Sequence, residues 1–303
     1  MGRFGGHYFL IGLVILALLA LFMTWFWWGT SQRIVIEAIS ESIRVDIPAD
    51  DGSRPGTDRI SFHLDAATIL RPGATDGLYL ERLAITPQAG SSLSITSGRN
   101  GFRLKLEGPP PIIDGLLDAA TPAAASPGQA GFFRSSEPVD AVFCPKPCSF
   151  VAAIEGDVVI GIPVGDQASG RPPILIEGTL SAMRRRLHDI AGPPDAVTYA
   201  VSRIRLAEQL VITATEGQSP ASTGVVRSLE DGRLQIHLNV RAPSVARHMT
   251  RAQSQIYAPS FLQFALSEPL ISVLINIGIF FIGLGAGMLR TGQVRSAPAG
   301  PAS

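Results

Sequence analysis

The sequence contains little charge. Only 17% of its 303 residues are charged, against roughly 25% in soluble domains. Lys105 and Lys146 are its only lysines. The 25 basic residues balance the 25 acidic ones, so the formal net charge is zero. Because proteins that bind nucleic acid normally carry a strong basic excess, this balance argues against a nucleic-acid partner.

Cysteine and recognisable catalytic motifs are also scarce. The two cysteines exclude a disulfide-dense scaffold and a four-cysteine zinc site. The sequence has no G-x-S-x-G, H-E-x-x-H, S-x-x-K or G-x-x-x-x-G-K-S/T motif, and its five histidines are scattered. We therefore predict a protein without enzymatic activity and without a bound cofactor or metal.

The sequence does contain two long apolar runs. Residues 9–28 are nearly all apolar, and a helix of about 20 residues spans the ~30 Å hydrocarbon core of a bilayer. The run ends in Trp25, Phe26, Trp27 and Trp28. These rings suit the membrane–water interface and stand where a signal peptide would need small residues for cleavage. The run predicts an uncleaved transmembrane helix.

A second run, residues 270–289, is equally long and carries no charge. Pro269 precedes it and suits the first turn of a helix, where a missing N–H is tolerated. The only charged residues of the two tails, residues 1–8 and 290–303, are arginines. The positive-inside rule then predicts that both tails are cytoplasmic. The excess of arginine over lysine, with many alanines, glycines and prolines, is typical of high-GC bacteria, so the outside is expected to be a periplasm.

Between the two helices, apolar and polar residues alternate in the way that is typical of half-buried strands. The alternation recurs in residues 102–107 and 234–241, which follow the turn dipeptides Asn100-Gly101 and Asp231-Gly232. Short strands joined by such turns predict a mainly β fold, with an antiparallel β-sandwich-like extracytoplasmic region between the two transmembrane helices. A parallel α/β fold is not indicated.

Residues 109–138 interrupt this pattern because they are rich in Pro, Ala, Gly and Ser. We interpret them as a linker or long loop that divides two β regions, residues 29–108 and 139–241. One large sandwich with an insertion is the alternative. Helical spacing of apolar residues further predicts a short helix near residues 180–191 and a juxtamembrane helical segment over residues 242–269.

The sharpest local motif contains Cys144 and Cys148. In an oxidising periplasm two thiols at this spacing are expected to pair, giving a disulfide that clips a bend. The alternative is redox exchange or copper binding, because thiolates are soft ligands that suit Cu(I), with His237 as a candidate third ligand. The C-P-x-x-C spacing resembles the copper-chaperone motif of the Sco family. That resemblance implies a helix directly after the cysteines, where residues 150–154 have the pattern of a strand.

The second apolar run carries an interaction pattern. Ser272, Asn276, Gly283 and Gly287 fall on one helix face, and the G-x-x-x-G spacing allows close backbone approach. Asn276 lies about 9 Å inside the run, where an unpaired amide is costly. We predict a helix-packing interface at these residues. Its partner is either the protein's own first helix or another membrane protein or a second copy.

The densest basic run is Arg184, Arg185 and Arg186. It is a candidate contact for anionic lipid headgroups. The alternative is the solvated flank of the short helix predicted near residues 180–191, paired with acids such as Asp189.

Together these features predict a non-catalytic membrane-anchored envelope protein. It would cross a bacterial inner membrane twice, with both termini cytoplasmic and the main domain periplasmic. The expected partners are membrane lipids and another membrane protein or a second copy, with the chain as a scaffold or accessory subunit of an inner-membrane complex. Two alternatives stay open: a periplasmic copper or thiol redox factor using Cys144 and Cys148, and a component of lipid or polysaccharide transport or export.

Overall fold

The computed structural model describes residues 2–29, 32–48, 62–70, 78–98, 101–109, 111–117, 131–134, 139–143, 150–161, 174–185, 196–213, 222–241, 244–250 and 253–294. The chain divides into two compact units. The helical unit comprises Met1–Gln32, Met183–Ala200 and Pro259–Ser303, and the β unit comprises Arg33–Ala182 and Val201–Ala258.

The fold is mainly antiparallel β with few helices. The described helices are α1 (Gly2–Gly29), α2 (Phe261–Ser267) and α3 (Pro269–Val294). The described strands are β1 (Arg33–Ser40), β2 (Ser42–Asp46), β3 (Phe62–Leu70), β4 (Leu78–Thr86), β5 (Ser92–Gly98), β6 (Gly101–Glu107), β7 (Ile112–Leu117), β8 (Gly131–Arg134), β9 (Val139–Phe143), β10 (Val151–Ile160), β11 (Leu175–Arg185), β12 (Ala196–Ile204), β13 (Gln209–Ile212), β14 (Ser222–Ser228), β15 (Leu234–Val240), β16 (Val245–Thr250) and β17 (Gln253–Tyr257).

Strand β10 joins two antiparallel ladders into one open sheet. In the first ladder β10 pairs with β14, β14 with β15, and β15 with β1. The second ladder has the order β17–β16–β13–β10–β2–β5–β6–β9–β3–β4–β7–β8. Residues 151–156 of β10 belong to the first ladder and residues 157–160 to the second. The strand therefore changes ladders directly after Gly156.

Gly156 is required at this crossover for two reasons. Its φ is +151°, and a Cβ there would lie 2.5 Å from the carbonyl oxygen of Asp46. We expect Gly156→Ala to lower the free energy of unfolding by about 2 kcal/mol, because the substitution adds both backbone strain and a backbone clash. Thermal unfolding of the detergent-solubilised chain measures this change.

The matched control is Gly90→Ala. Gly90 also has a positive φ, +82°, but the nearest heavy atom to its Cβ position is 3.9 Å away. Gly90→Ala should therefore cost only the backbone strain, about 1 kcal/mol. Equal losses at the two glycines would show that the close approach to Asp46 contributes nothing.

The alternation that predicted strands is confirmed by burial. In β6 the apolar side chains of Phe102, Leu104 and Leu106 are buried, and the charged side chains between them are exposed. The four apolar side chains of β15 are likewise buried. Gly232, in the turn between β14 and β15, has a φ of +79°, as its turn dipeptide predicts. The inward-facing residues of the β unit form one hydrophobic core.

The prediction of two separate β regions is wrong. Strands from residues 29–108 pair directly with strands from residues 139–241, as in β1–β15, β2–β10, β3–β9 and β6–β9. The segment over residues 109–138 also contains β7, which pairs with β4, and β8, which pairs with β7. The prolines that suggested a linker lie outside both strands, so they leave the ladder hydrogen bonds intact.

Two predicted helices are also wrong over their described residues. Leu180–Arg185 belongs to β11, and most of residues 245–257 belongs to β16 and β17, with a helix only from Phe261. Burial has period two in both places, at Leu180, Ala182 and Arg184 and again at Val245 and Arg247. In each strand an arginine faces inward at a position where an apolar residue is expected. The alternation of apolar and polar residues is therefore not visible in the sequence. Residues 186–190 lie outside the described residues.

Candidate functional site

Helices α1 and α3 pack against each other as an antiparallel pair through two glycines. A Cβ at Gly12 would lie 2.7 Å from Cγ1 of Ile282 and 2.9 Å from the carbonyl oxygen of Gly278. A Cβ at Gly278 would lie 2.8 Å from Cδ2 of Leu16. The rings of Tyr8 and Phe281 stack nearby, with centroids 6.4 Å apart. At Gly12 the two backbones therefore approach too closely for a side chain, whereas at Gly278 a side chain would displace the side chain of Leu16.

The predicted packing face of α3 is turned away from α1. At 3.6 residues per turn, the face of Ser272, Asn276, Gly283 and Gly287 is roughly 150° from Gly278. All four residues are exposed, and a Cβ at Gly283 or Gly287 would meet nothing within 4 Å. The protein's own first helix thus occupies another face of α3. That these four residues pack against a second protein or copy stays a prediction.

The helix pair exposes many large apolar side chains away from its contact. In α1 these are Phe9, Leu10, Ile11, Leu13, Val14, Leu18, Leu21, Phe22 and Trp25. In α3 they are Val273, Leu274, Ile277, Ile279, Phe280 and Leu284. Over the residues searched, no single helix has both the length and the hydropathy of a membrane span. The segments Phe261–Ser267 and Ile271–Gly287, bent by 85°, meet those criteria only as a pair.

Phe264 is the centre of a small hydrophobic cluster in the helical unit, separate from the core of the β unit. This α2 side chain is only 2% exposed and packs with Ile271 of α3 and Leu19 of α1. The guanidinium carbon of Arg184, in β11, lies 5.5 Å from the centroid of the Phe264 ring. The ring of Tyr199, in β12, meets that of Phe264 edge-on at 5.4 Å. The cluster therefore fixes one side of α2 against the ends of two strands.

Arg184 does not lie on a solvated helix flank. It is 3% exposed, and this burial lowers the pKa of its guanidinium below the usual value, an effect that nearby Tyr199 opposes. A cation over an aromatic face is stabilised by the ring quadrupole. The role of Arg184 is therefore internal in this structure. The side chain of Arg185 and the whole of Arg186 lie outside the described residues.

Sequence reasoning missed a buried ion pair in the β unit. Arg247 donates from Nη2 to Oε2 of Glu208 at 2.7 Å, and its Nε donates to the same oxygen at 3.2 Å. Its Nη1 donates to Oγ of Ser202 at 2.8 Å, and its Nη2 also donates to the carbonyl oxygen of Arg203 at 2.9 Å. The side chains of Arg247 and Glu208 are 8% and 3% exposed. Both charges are therefore desolvated.

The turn that carries Glu208 is strained. The residue before it, Ala207, has a φ of +63°, and its N–H donates to the carbonyl oxygen of Leu175 at 2.8 Å. Next to Arg247, burial raises the pKa of Tyr257. The Tyr257 hydroxyl donates to the carbonyl oxygen of Leu180 at 3.5 Å. The hydrogen bonds of Arg247 therefore tie together three segments of the β unit, β16, the end of β12 and the turn that carries Glu208, which is a structural role.

The metal and redox hypotheses gain no support. Cys144 and Cys148 lie outside the described residues, so their pairing stays a prediction. His237 lies on the outer face of β15, with Nδ1 3.7 Å from a carboxylate oxygen of Glu37 and Nε2 3.1 Å from Nε2 of Gln235. Among the described residues, no three His, Cys, Asp or Glu side chains are grouped as a metal site.

No model of a protein family and no curated protein matches the chain. Its function is therefore inferred from the residues of this chain alone. The feature that most needs a functional explanation is the exposed polar and small-residue face of α3.

Proposed function

We propose that the chain is a non-catalytic, membrane-anchored envelope protein that serves as a scaffold or accessory subunit of an inner-membrane complex. One observation carries this proposal: the face of α3 formed by Ser272, Asn276, Gly283 and Gly287 is exposed, while α1 packs on another side. Small residues allow close backbone approach, and a polar amide in an apolar environment favours a hydrogen-bond partner from another helix.

Anchoring by α1 and α3 is the first part of the proposal. Two long antiparallel helices that contact through glycine and expose large apolar side chains elsewhere suit a lipid environment better than water. The arginine-only charge of both tails supports cytoplasmic termini. The β unit would then lie in the periplasm, where Cys144 and Cys148 are expected to form a disulfide.

A sandwich-like packing of the two ladders is the second part. Apolar side chains of β1, in the first ladder, and of β2, in the second, belong to the same buried core. Strand β10 passes between the ladders, as strands do at the corners of packed sheets. A β unit with one continuous buried core suits a scaffold that is held by one membrane partner.

Purification in mild detergent tests the partner. We expect the chain to co-purify with another membrane protein or as a discrete oligomer. Asn276→Leu and Gly283→Ile should each reduce the bound partner by about ten-fold, because one removes a hydrogen-bonding amide and the other fills the close-approach site. Quantitative mass spectrometry or native mass measurement gives the stoichiometry.

The matched control is Ala17→Ile, which adds a similar side chain at an exposed position of α1. This variant should retain the partner in full. Recovery of the unmodified chain as a lone monomer, with neither α3 variant changing its behaviour, would contradict the proposal.

A further inference from the structure

Helix α2 has one covered side and one exposed side. Phe264 is buried in the helical unit, whereas Leu262 and Leu266, four residues apart on one helix face, are 63% and 72% exposed. The helix has a well-defined start. Ser260 Oγ accepts the N–H of Gln263, and the Gln263 side chain accepts the N–H of Ser260. No residue of Phe261–Ser267 is charged.

The orientation of α2 differs sharply from that of α3. The axes of the two segments are bent by 85°. The corner consists of Glu268, which is 4% exposed, and of Pro269, at which α3 starts. If α3 crosses the membrane, as proposed above, a helix at nearly a right angle to it runs parallel to the membrane plane. This step rests on the proposed function.

The contacts of α1 with α2 indicate the depth of α2 in the membrane. Leu19 packs with Phe264 and Ile271, so α2 lies at the level of Leu19, about 9 Å along the α1 axis from Trp25. Trp25, in that end, is 71% exposed, and its ring lies 6.1 Å from the ring of Phe22. Exposed tryptophan is enriched at the boundary between lipid headgroups and acyl chains. The exposed leucines of α2 are therefore expected within about 10 Å of that boundary, the depth to which an in-plane helix inserts its apolar face.

We propose that α2 is an in-plane membrane helix that inserts Leu262 and Leu266 into the headgroup–acyl boundary of a phospholipid bilayer. Both helices beside the corner expose large apolar side chains, Leu262 and Leu266 in α2 and Val273 and Leu274 in α3. Because α2 carries no charge, zwitterionic phospholipid is sufficient and no anionic headgroup is needed. Arg184 and Tyr199 hold the opposite side through Phe264, so the helix connects the membrane surface with the ends of β11 and β12.

Tryptophan quenching by brominated lipid tests the proposal on the full chain. The native Trp25, Trp27 and Trp28 are replaced by phenylalanine, and the reporter Leu266→Trp is introduced. The protein is then placed in phosphatidylcholine vesicles brominated either near the headgroup or near the chain end. We expect headgroup-proximal bromine to reduce reporter fluorescence by about two-fold or more, and chain-end bromine to reduce it less.

Two further reporters make the outcomes distinguishable. Val273→Trp, at an exposed position of α3, should be quenched by lipid bromine if α3 lies in the bilayer. Leu206→Trp, at an exposed turn of the β unit, should be quenched only by aqueous acrylamide. If brominated lipid quenches Val273→Trp but not Leu266→Trp, the proposal of an in-plane α2 helix is wrong and the membrane anchor stands.

If brominated lipid quenches neither reporter, the proposed membrane anchor is wrong as well. Leu266→Trp could also be protected from acrylamide to a degree that rises with protein concentration, without being quenched by brominated lipid. That result would assign this face of α2 to a second copy of the chain and overturn the lipid proposal.

Discussion

Replacement of Arg247 by methionine is expected to lower the free energy of unfolding by about 4 kcal/mol. The substitution leaves the Glu208 carboxylate buried without its cation and removes the donors to Ser202 and to the carbonyl oxygen of Arg203. Thermal unfolding of the solubilised chain, followed by circular dichroism in the far ultraviolet, should show a fall in Tm of roughly 10 °C.

Two further variants separate the cost of the unpaired, buried Glu208 carboxylate from the other effects of Arg247→Met. Arg103 pairs with Asp140 on the surface, so Arg103→Met should cost less than about 1 kcal/mol. The double variant Arg247→Met/Glu208→Leu should recover most of the loss, because it removes both desolvated charges together. A double variant as unstable as Arg247→Met alone would show that the hydrogen bonds of Arg247 to β12 stabilise the fold, and that the unpaired carboxylate does not explain the loss.

Gly12→Leu is expected to separate the helix pair, with a loss of about 3 kcal/mol in the α1–α3 interaction. Any side chain at this position meets the backbones of Gly278 and Ile282, and these cannot move without displacing α3. Energy transfer between fluorophores attached to the two termini measures this loss of pairing in detergent or in bilayers.

Ala17→Leu is the control for added volume in α1. Ala17 is exposed, so the larger side chain should leave the pairing unchanged. Gly278→Leu, on the other side of the same contact, should weaken the pairing less than Gly12→Leu, because its added side chain meets the Leu16 side chain and no backbone atom among its three nearest neighbours. If both glycine variants keep the helices paired, the close approach of their backbones is not what holds α1 to α3.

The sequence predicts the strands with regular alternation and fails where an arginine faces inward. β6 and β15 are recognisable because every inward position is apolar. In β11 and β16, Arg184 and Arg247 occupy inward positions, and the remaining apolar residues happen to match a helical spacing. The partners that make burial possible, the Phe264 ring and the Glu208 carboxylate, are distant in sequence. Local pattern alone therefore cannot distinguish these arginines from surface residues.

Strand pairing and helix contacts set a second limit on prediction. The pairing of β2 with β10 brings together residues more than a hundred positions apart, and nothing in either strand specifies that neighbour. The spacing of small residues indicated only the face of Gly283 and Gly287, because Gly278 has no glycine four positions before or after it. The structure shows that α1 takes the Gly278 face. The face of Asn276 is thereby left for the partner that we propose.

Photo-crosslinking from α3 in native membranes shows whether the Asn276 face contacts a second protein. A photoreactive amino acid is placed at Asn276, on the proposed partner face, or at Ile277, which is exposed roughly 100° around the helix. The account predicts one discrete protein crosslink from position 276, to a second membrane protein or a second copy, and only lipid adducts from position 277. Lipid adducts alone from both positions would contradict it.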